Sequence, residues 1–142
     1  MKKITILSLF FVLTACSSST VNLRNLEDYI DDDNYLFIDI RNPEEAHVDG
    51  YIEGFTFLPL YSYLFEEGIV RPPGILGYRS SDILDEVRLR SYLDESKTIV
   101  IICRTGNRTD YFEEVLTDLG YTVINLGGIH QYSGSLLRFP NE

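Results

Sequence analysis

A cysteine between an apolar run and a helical pattern is the residue of this chain best placed to do chemistry. Cys103 follows the apolar run 98–102, and a polar segment, Arg-Thr-Gly-Asn-Arg at 104–108, leads from it to a helical pattern beginning at Thr109. Backbone N–H groups of such a loop can converge on the sulfur, and the helix dipole favours negative charge there. The two arginines favour a thiolate further. The pattern predicts that Cys103 is a nucleophile, with a buried, inert thiol as the alternative.

The first residues are typical of an export signal rather than of a folded domain. A basic pair precedes an apolar stretch, residues 4–13, that is too short to span a bilayer. The stretch ends in Leu-Thr-Ala-Cys, which resembles the lipobox of bacterial lipoproteins and implies cleavage before Cys16 with a diacylglyceryl group on its thiol. An ordinary export signal is the alternative. We expect a signal peptide over residues 1–15, a lipidated cysteine and tether over 16–21, and one domain over 22–142.

The expected lipid anchor, rather than charge, would hold the domain at a membrane of the bacterial cell envelope. The domain would face the periplasm if the cell has two membranes. Removing the two lysines of the signal would move the formal net charge from −10 to −12. This acidity argues against a nucleic-acid partner and against direct adsorption to anionic lipid. With Cys16 blocked, Cys103 would be the one free thiol, so no intramolecular disulfide could form.

Apolar strand patterns alternate with helical patterns along the chain. The predicted strands span 35–40, 55–58, 98–102 and 121–125, with a turn at 127–128. The predicted helices span 22–30, a short stretch from residue 43, a short stretch within 60–82, 83–92, and 109–119 with Thr109 as its cap. This alternation favours an α/β fold with a mostly parallel sheet. It places Cys103 at the carboxyl end of a strand, where the sites of such sheets lie.

Two stretches resemble the single-domain rhodaneses, a family of sulfurtransferases. Residues 36–45, Leu-Phe-Ile-Asp-Ile-Arg-Asn-Pro-Glu-Glu, and 50–55, Gly-Tyr-Ile-Glu-Gly-Phe, look like the family's DVR-x-x-x-E and GHI-x-GA signatures. Residues 99–128 carry C-x-x-G-x-R between a strand and a helix, followed by Leu-Gly-Tyr and Leu-Gly-Gly. The resemblance implies a rhodanese-like α/β fold whose central, mostly parallel sheet has helices on both faces. Tyr51 and Phe55 replace the usual His and Ala of the second signature.

The resemblance also implies that the chain moves a sulfane sulfur and needs no cofactor. Cys103 would take the sulfur from a donor such as thiosulfate, carry it as a persulfide, and pass it to a thiophilic acceptor. The implied substrate-binding residues are Arg104, Thr105, Gly106, Asn107 and Arg108, whose backbone N–H groups can cradle an anionic sulfur. Gly106 permits the positive φ that such a curl can need. Arg104 is the better candidate to meet an anionic donor, whereas Arg108 either does the same or ties the loop to the domain.

Three charged residues near the predicted site are expected to be structural. Asp39 can accept N–H bonds at the end of its strand, and Arg41 can pair with Glu45 on the following turn. His47 and His130 fit no metal-ligand spacing, so no metal site is expected. His130 follows the Gly-Gly pair and could approach the mouth of the site, but a surface position is the better expectation.

Two other functions compete with sulfur transfer. Cysteine phosphatases need C-x5-R, whereas Cys103 and Arg108 have four residues between them and position 109 is a threonine. The six-residue loop suits a single sulfur better than a phosphate. The stronger alternative is a binding or regulatory module that retained the fold but transfers no sulfur at a useful rate. The altered residues 50–52 and the segment 60–82, which is longer than the family's usual connection, favour this alternative.

Overall fold

The computed structural model describes residues 20–72 and 82–140. Cys16, the expected signal peptide and most of the expected tether lie outside these residues. In chain order the elements are β1 (Tyr35–Asp39), α1 (Pro43–Asp49), β2 (Tyr51–Ile52), β3 (Thr56–Phe57), α2 (Glu86–Arg90), β4 (Thr98–Cys103), α3 (Asn107–Asp118), β5 (Val123–Gly128) and β6 (Leu137–Arg138). Short 3₁₀ helices at Leu26–Asp28 and Ile129–Gln131 and a π-helix at Leu60–Phe65 complete the described structure.

Four parallel strands form the central sheet in the order β3-β1-β4-β5. The central strand β4 is apolar on both sides because both faces of the sheet are covered. Ile99 and Ile101 pack into one hydrophobic core, whereas Val100 and Ile102 pack into the other. The predicted α/β fold with a parallel sheet is therefore confirmed, and Cys103 ends the strand at its centre.

The two faces of the sheet are covered by different kinds of structure. One core contains buried residues of α2, α3 and the π-helix, namely Leu89, Phe112, Val115, Leu116, Leu60 and Leu64. The other is closed by the two 3₁₀ helices and by the antiparallel pair β2–β6, through Leu26, Ile129 and Ile52. Helical turns thus lie on both faces of the sheet, and the longest described helix, α3, lies on the first face. No helix within the described ranges is both long and apolar enough to cross a bilayer.

The predicted first helix over residues 22–30 is wrong. Only Leu26–Asp28 is helical, as a single 3₁₀ turn. The side chain of Asn25 accepts from the backbone N–H of Asn22 at 2.7 Å, and that of Asn22 accepts from the N–H of Arg24 at 2.9 Å. These local bonds offer the backbone an alternative to the helical hydrogen-bond pattern. Spacing of the apolar residues alone did not reveal this competition.

Several predicted boundaries also shift. Helix α3 begins at Asn107 with Gly106 in the N-cap position, so Thr109 lies inside the first turn and is not the cap. Strand β5 extends to Gly128, so the two glycines at 127–128 end a strand and do not form a separate turn. Helix α2 is shorter than the predicted helix over 83–92, and Val87 on it is 83% exposed.

The segment expected to hold a short helix and a loop begins with the π-helix Leu60–Phe65. Its two ends meet again, because the N–H of Arg71 donates to the carbonyl of Asp82 at 2.6 Å and Val70 forms an antiparallel bridge with Ile83. The intervening residues 73–81 lie outside the described structure. The described ends of this long segment are therefore fixed to each other and to the domain.

Candidate active site

Cys103 lies at the carboxyl end of β4 with its side chain enclosed by the loop that follows. The residue is 0% exposed. The backbone N–H of Gly106 donates to Sγ at 3.1 Å. Gly106 has φ of 108°, in the region that favours glycine, so the turn at this residue suits a glycine. One backbone donor of the predicted cradle is therefore in place on the sulfur.

Thr109 holds the same turn from inside helix α3. Its hydroxyl donates to the carbonyl of Gly106 at 2.6 Å, and its Oγ1 is 3.9 Å from the sulfur of Cys103. Thr109 is 0% exposed, so this hydroxyl is satisfied entirely within the protein. In the sequence, Thr109 directly follows the C-x-x-G-x-R motif, and this position could have indicated a contact with the loop. The helical pattern alone predicts a helix cap at this residue.

Arg108 ties the loop to helix α1. Its Nη1 and Nη2 donate to the two oxygens of Glu45 at 2.7 and 2.6 Å. The bidentate bond from Arg108 holds the pKa of the Glu45 carboxyl below its usual range, and the same bond raises the pKa of Arg108. The guanidinium also lies over the ring of Tyr61, 5.5 Å from its centroid. Of the two roles left open for Arg108, the geometry has it tying the loop to the domain.

The expected pair between Arg41 and Glu45 is wrong, because Arg41 pairs with Asp39. Its Nε is 3.0 Å from both carboxylate oxygens and its Nη2 is 2.7 Å from Oδ2, while Nη2 also donates to the carbonyl of Gly50 at 2.9 Å. Asp39 accepts the backbone N–H of Arg41 at 3.0 Å, as predicted for the strand end. Both residues are buried, so the pair fixes the end of β1 to the turn that leads into β2. Nη1 of Arg41 has no partner among the described residues.

Arg104 lies at the outer side of the loop and meets a carboxylate there. Its Nε is 2.9 Å from Oδ2 of Asp49, and its side chain is 53% exposed. Thr105 and Asn107 are also exposed on the loop. The structure therefore gathers all five predicted substrate-binding residues around Cys103. It places the arginine expected to meet an anionic donor in contact with an acidic side chain.

His130 is exposed to solvent, as expected, and it also contacts the loop. Its Nδ1 is 2.7 Å from the carbonyl oxygen of Arg104. Gly128 is the register partner of Cys103 across β4 and β5, and a Cβ atom there would lie 2.7 Å from both that carbonyl and the ring. Gly128, two positions before His130, is the sequence feature that could have indicated this contact. Only a glycine there leaves room for the ring beside the Arg104 carbonyl.

Among the described residues no metal cluster marks the site, and a surface cavity lies away from it. In the part of the chain that the structure describes, no three His, Cys, Asp or Glu side chains are grouped closely enough to hold a metal ion. A surface cavity of about 840 Å³ lies between the N-terminal segment and the turn after β5, with Arg24, Glu27 and Asn125 in its wall. None of the residues that line it belongs to the Cys103 loop, so this cavity is not the mouth of the site.

Comparison with known proteins agrees with this geometry. The rhodanese-like domain family matches residues 22–135. SSP1007 from Staphylococcus saprophyticus subsp. saprophyticus is 21% identical with a TM-score of 0.55, covering 84% of this chain and 97% of its own. A rhodanese-like domain protein from Staphylococcus aureus is 17% identical with a TM-score of 0.56, covering 85% of this chain and 97% of its own.

A further solved structure matches as part of a longer protein. Reduced CoADR-RHD from Bacillus anthracis is 27% identical with a TM-score of 0.51, and the match covers 78% of this chain but 16% of that one. No curated protein matches the sequence significantly. The family match spans the sheet, the Cys103 loop and helix α3. The chain therefore belongs to the rhodanese-like domain family.

Proposed function

We propose that this protein is a sulfurtransferase that carries sulfane sulfur as a persulfide on Cys103. The observation that supports this most directly is the bond from the Gly106 N–H to the cysteine sulfur at 3.1 Å, within an intact C-x-x-G-x-R loop. A backbone donor aimed at this sulfur stabilises an anion there, which is what both the thiolate and the persulfide require. Membership of the rhodanese-like family supports the same chemistry.

The proposed reaction has two half-steps. The Cys103 thiolate attacks the outer sulfur of thiosulfate, the S–S bond of the donor breaks, and sulfite leaves with the electron pair. An acceptor nucleophile then attacks the outer sulfur of the persulfide, and the electron pair of the broken S–S bond returns to Cys103. Because the enzyme is covalently modified between the steps, the kinetics are ping-pong.

Arg104 is proposed to meet the anionic donor outside the loop. The contact with Asp49 occupies this guanidinium, but the Arg104 side chain is 53% exposed, and ion pairs with an exposed partner exchange at small cost. The buried backbone N–H of Gly106 would then hold the sulfur while Arg104 holds the sulfonate end of the donor. Arg108 contributes by fixing the loop against Glu45.

A lipid anchor at Cys16 is part of the proposal because the segment before it has the pattern of a lipoprotein signal. Cells fed an alkyne fatty acid would incorporate the label into the parent chain, and the membrane fraction would contain it. The Cys16→Ser variant would take no label. Equal labelling of both chains would overturn lipidation at this residue.

A rhodanese-like module without catalysis is the second candidate. The observation that favours it is the complete burial of Cys103, together with the engagement of both loop arginines by carboxylates among the described residues. The two candidates differ in thiol reactivity. An activated Cys103 is alkylated quickly well below the pH at which a free thiol ionises, whereas an inert buried thiol is not.

The decisive experiment is intact mass spectrometry of the full chain in mild detergent after incubation with thiosulfate. The parent is expected to gain the mass of one sulfur, and cyanide is expected to discharge it as thiocyanate. Cys103→Ala is the matched control and is expected to gain nothing. A folded parent with an accessible thiol that takes no sulfur from thiosulfate or from a persulfide donor would overturn the sulfurtransferase and favour the binding module.

A further inference from the structure

The imidazole of His130 is held in one tautomer at the edge of the active-site loop. Its Nδ1 lies 2.7 Å from the carbonyl oxygen of Arg104. Because a carbonyl oxygen can only accept a hydrogen bond, Nδ1 must carry the proton, which leaves Nε2 of the neutral ring with its lone pair. The residue is exposed, and no described residue forms a hydrogen bond with Nε2. A basic nitrogen therefore faces solvent beside the loop.

The position of the His130 ring is determined by the register of the sheet. Gly128 is the register partner of Cys103, and neighbouring strands lie about 5 Å apart. A Cβ atom on Gly128 would come within 2.7 Å of Arg104 O and of the His130 ring. The missing side chain thus creates the space in which the imidazole lies against the peptide that follows Cys103. His130 is in this way fixed against the loop that follows Cys103.

The other ionisable side chains bonded to the loop are poor bases near neutrality. Glu45 is engaged by Arg108, whose hydrogen bonds hold the pKa of that carboxyl below its usual range. Asp49 is engaged by Arg104. Among the described residues bonded to the loop, the imidazole is the side-chain type that proteins use most often as a general base.

We propose that His130 is the general base of the second half-reaction and that the acceptor is a thiol. This inference rests on the proposed persulfide at Cys103. The acceptor sulfur bonds to the outer sulfur of the persulfide, the S–S bond to Cys103 breaks, and its electron pair returns to Cys103 as the thiolate. The thiol proton goes to Nε2 of His130, and the transferred sulfur keeps the charge or proton that it carried. A thiol needs such a base because it must lose a proton to attack.

The test is a single-turnover discharge of the persulfidated full chain by two acceptors. One is 2-mercaptoethanol, which is protonated at mildly alkaline pH, and the other is sulfite, which is there a dianion with no proton to lose. His130→Asn keeps an N–H donor near the place of Nδ1 but removes the basic Nε2. We expect it to lower the ratio of thiol discharge to sulfite discharge about 100-fold.

Two further variants separate catalysis from loop support. His130→Ala removes both the donor and the base, and His47→Asn, on the exposed surface of α1, should discharge both acceptors as the parent does. If His130→Asn keeps the parent's ratio while His130→Ala loses rate with both acceptors, His130 only supports the loop and the proposal is overturned. A parent chain that takes no sulfur fails at the loading step, which overturns the proposed function before His130 is reached.

Discussion

The two arginines of the active-site loop contact carboxylates of the same short helix in different surroundings. Arg108 forms a bidentate bond with Glu45, and these side chains are 13% and 23% exposed. Arg104 contacts Asp49, one helical turn further along α1, and these side chains are 53% and 24% exposed. The two carboxylates are equally shielded, so the pairs differ in the exposure of the arginine. A bidentate pair with a shielded arginine fixes two elements, whereas a pair with an exposed arginine is screened and exchanges partners. Burial of the guanidinium therefore separates the arginine that holds the loop from the arginine that is proposed to meet the donor.

The pair between Arg41 and Asp39 extends this comparison to full burial. It lies at the end of β1, with side chains 0% and 1% exposed. The three arginine–carboxylate pairs thus form a series at one edge of the sheet, from enclosed to solvent-facing. Removing the carboxylate of each pair in turn tests whether the burial of a pair determines its role.

The largest effect is expected when Asp39 is replaced by alanine. The change leaves the Arg41 guanidinium buried without its counter-charge, which costs about 3–5 kcal/mol of unfolding free energy. Urea denaturation of parent and variant measures the difference. A chain that fails to fold would agree with a cost at or above this range, whereas a loss below about 1 kcal/mol would show that Gly50 and solvent satisfy Arg41 without Asp39.

A smaller loss is expected for Glu45→Ala. Removing this carboxylate leaves Arg108 partly shielded and unpaired, and we expect a cost of about 2 kcal/mol because both side chains keep some contact with water. The loop should also loosen, so alkylation of Cys103 should change in rate. Asp49→Ala is the matched control on the same helix and should cost less than about 0.5 kcal/mol. If the two variants lost the same free energy of unfolding, the two arginines would not have different roles.

The Glu45 contribution is expected to depend on pH. The pKa of Glu45 in the folded chain is lowered from its ordinary value of 4.5, chiefly by the bond from Arg108. A carboxyl with a lowered folded pKa stabilises the protein above its unfolded pKa, and that stability is lost as the pH falls through the folded value. The stability gap between the parent and Glu45→Gln should therefore be constant near neutrality and narrow below about 4.5. Glu44→Gln, at the exposed neighbouring position, is the matched control for the loss of one carboxylate on the same helix.

Features of the chain that depend on local pattern could be predicted from the sequence. The apolar runs of β1 and β4, the core stripe of α3 and the loop between them are determined by residues close together in the chain, so their types and order were correct. The first helix was wrong because Asn22 and Asn25 bond to nearby backbone groups. Apolar spacing contains no information about that competition.

The partners within the site could not be predicted in the same way. Arg108 meets a carboxylate 63 positions earlier in the chain, and His130 meets a carbonyl 26 positions earlier. Each contact depends on the parallel register and on which elements meet at the carboxyl edge of the sheet. Arg41 was predicted to pair with Glu45 because the two residues are close in sequence. Asp39 lies at the same strand end, and its carboxylate accepts hydrogen bonds from both Nε and Nη2 of Arg41. The roles of the loop residues in binding a substrate stay predictions.

The smallest effect on stability and a distinct effect on substrate use are expected for Asp49→Asn. The change removes the negative charge that engages Arg104 but keeps a polar side chain, so the unfolding free energy should change by less than about 0.5 kcal/mol. An unpaired guanidinium at the outer side of the loop attracts an anion more strongly, so KM for thiosulfate should fall several-fold while kcat stays near the parent value. Arg104→Gln should raise KM, and the double variant should behave like Arg104→Gln because the charge that Asp49 restrains is then gone. If Asp49→Asn lowered KM equally in the Arg104→Gln background, Asp49 would act by general repulsion of anions, and Arg104 would not be the residue that meets the donor.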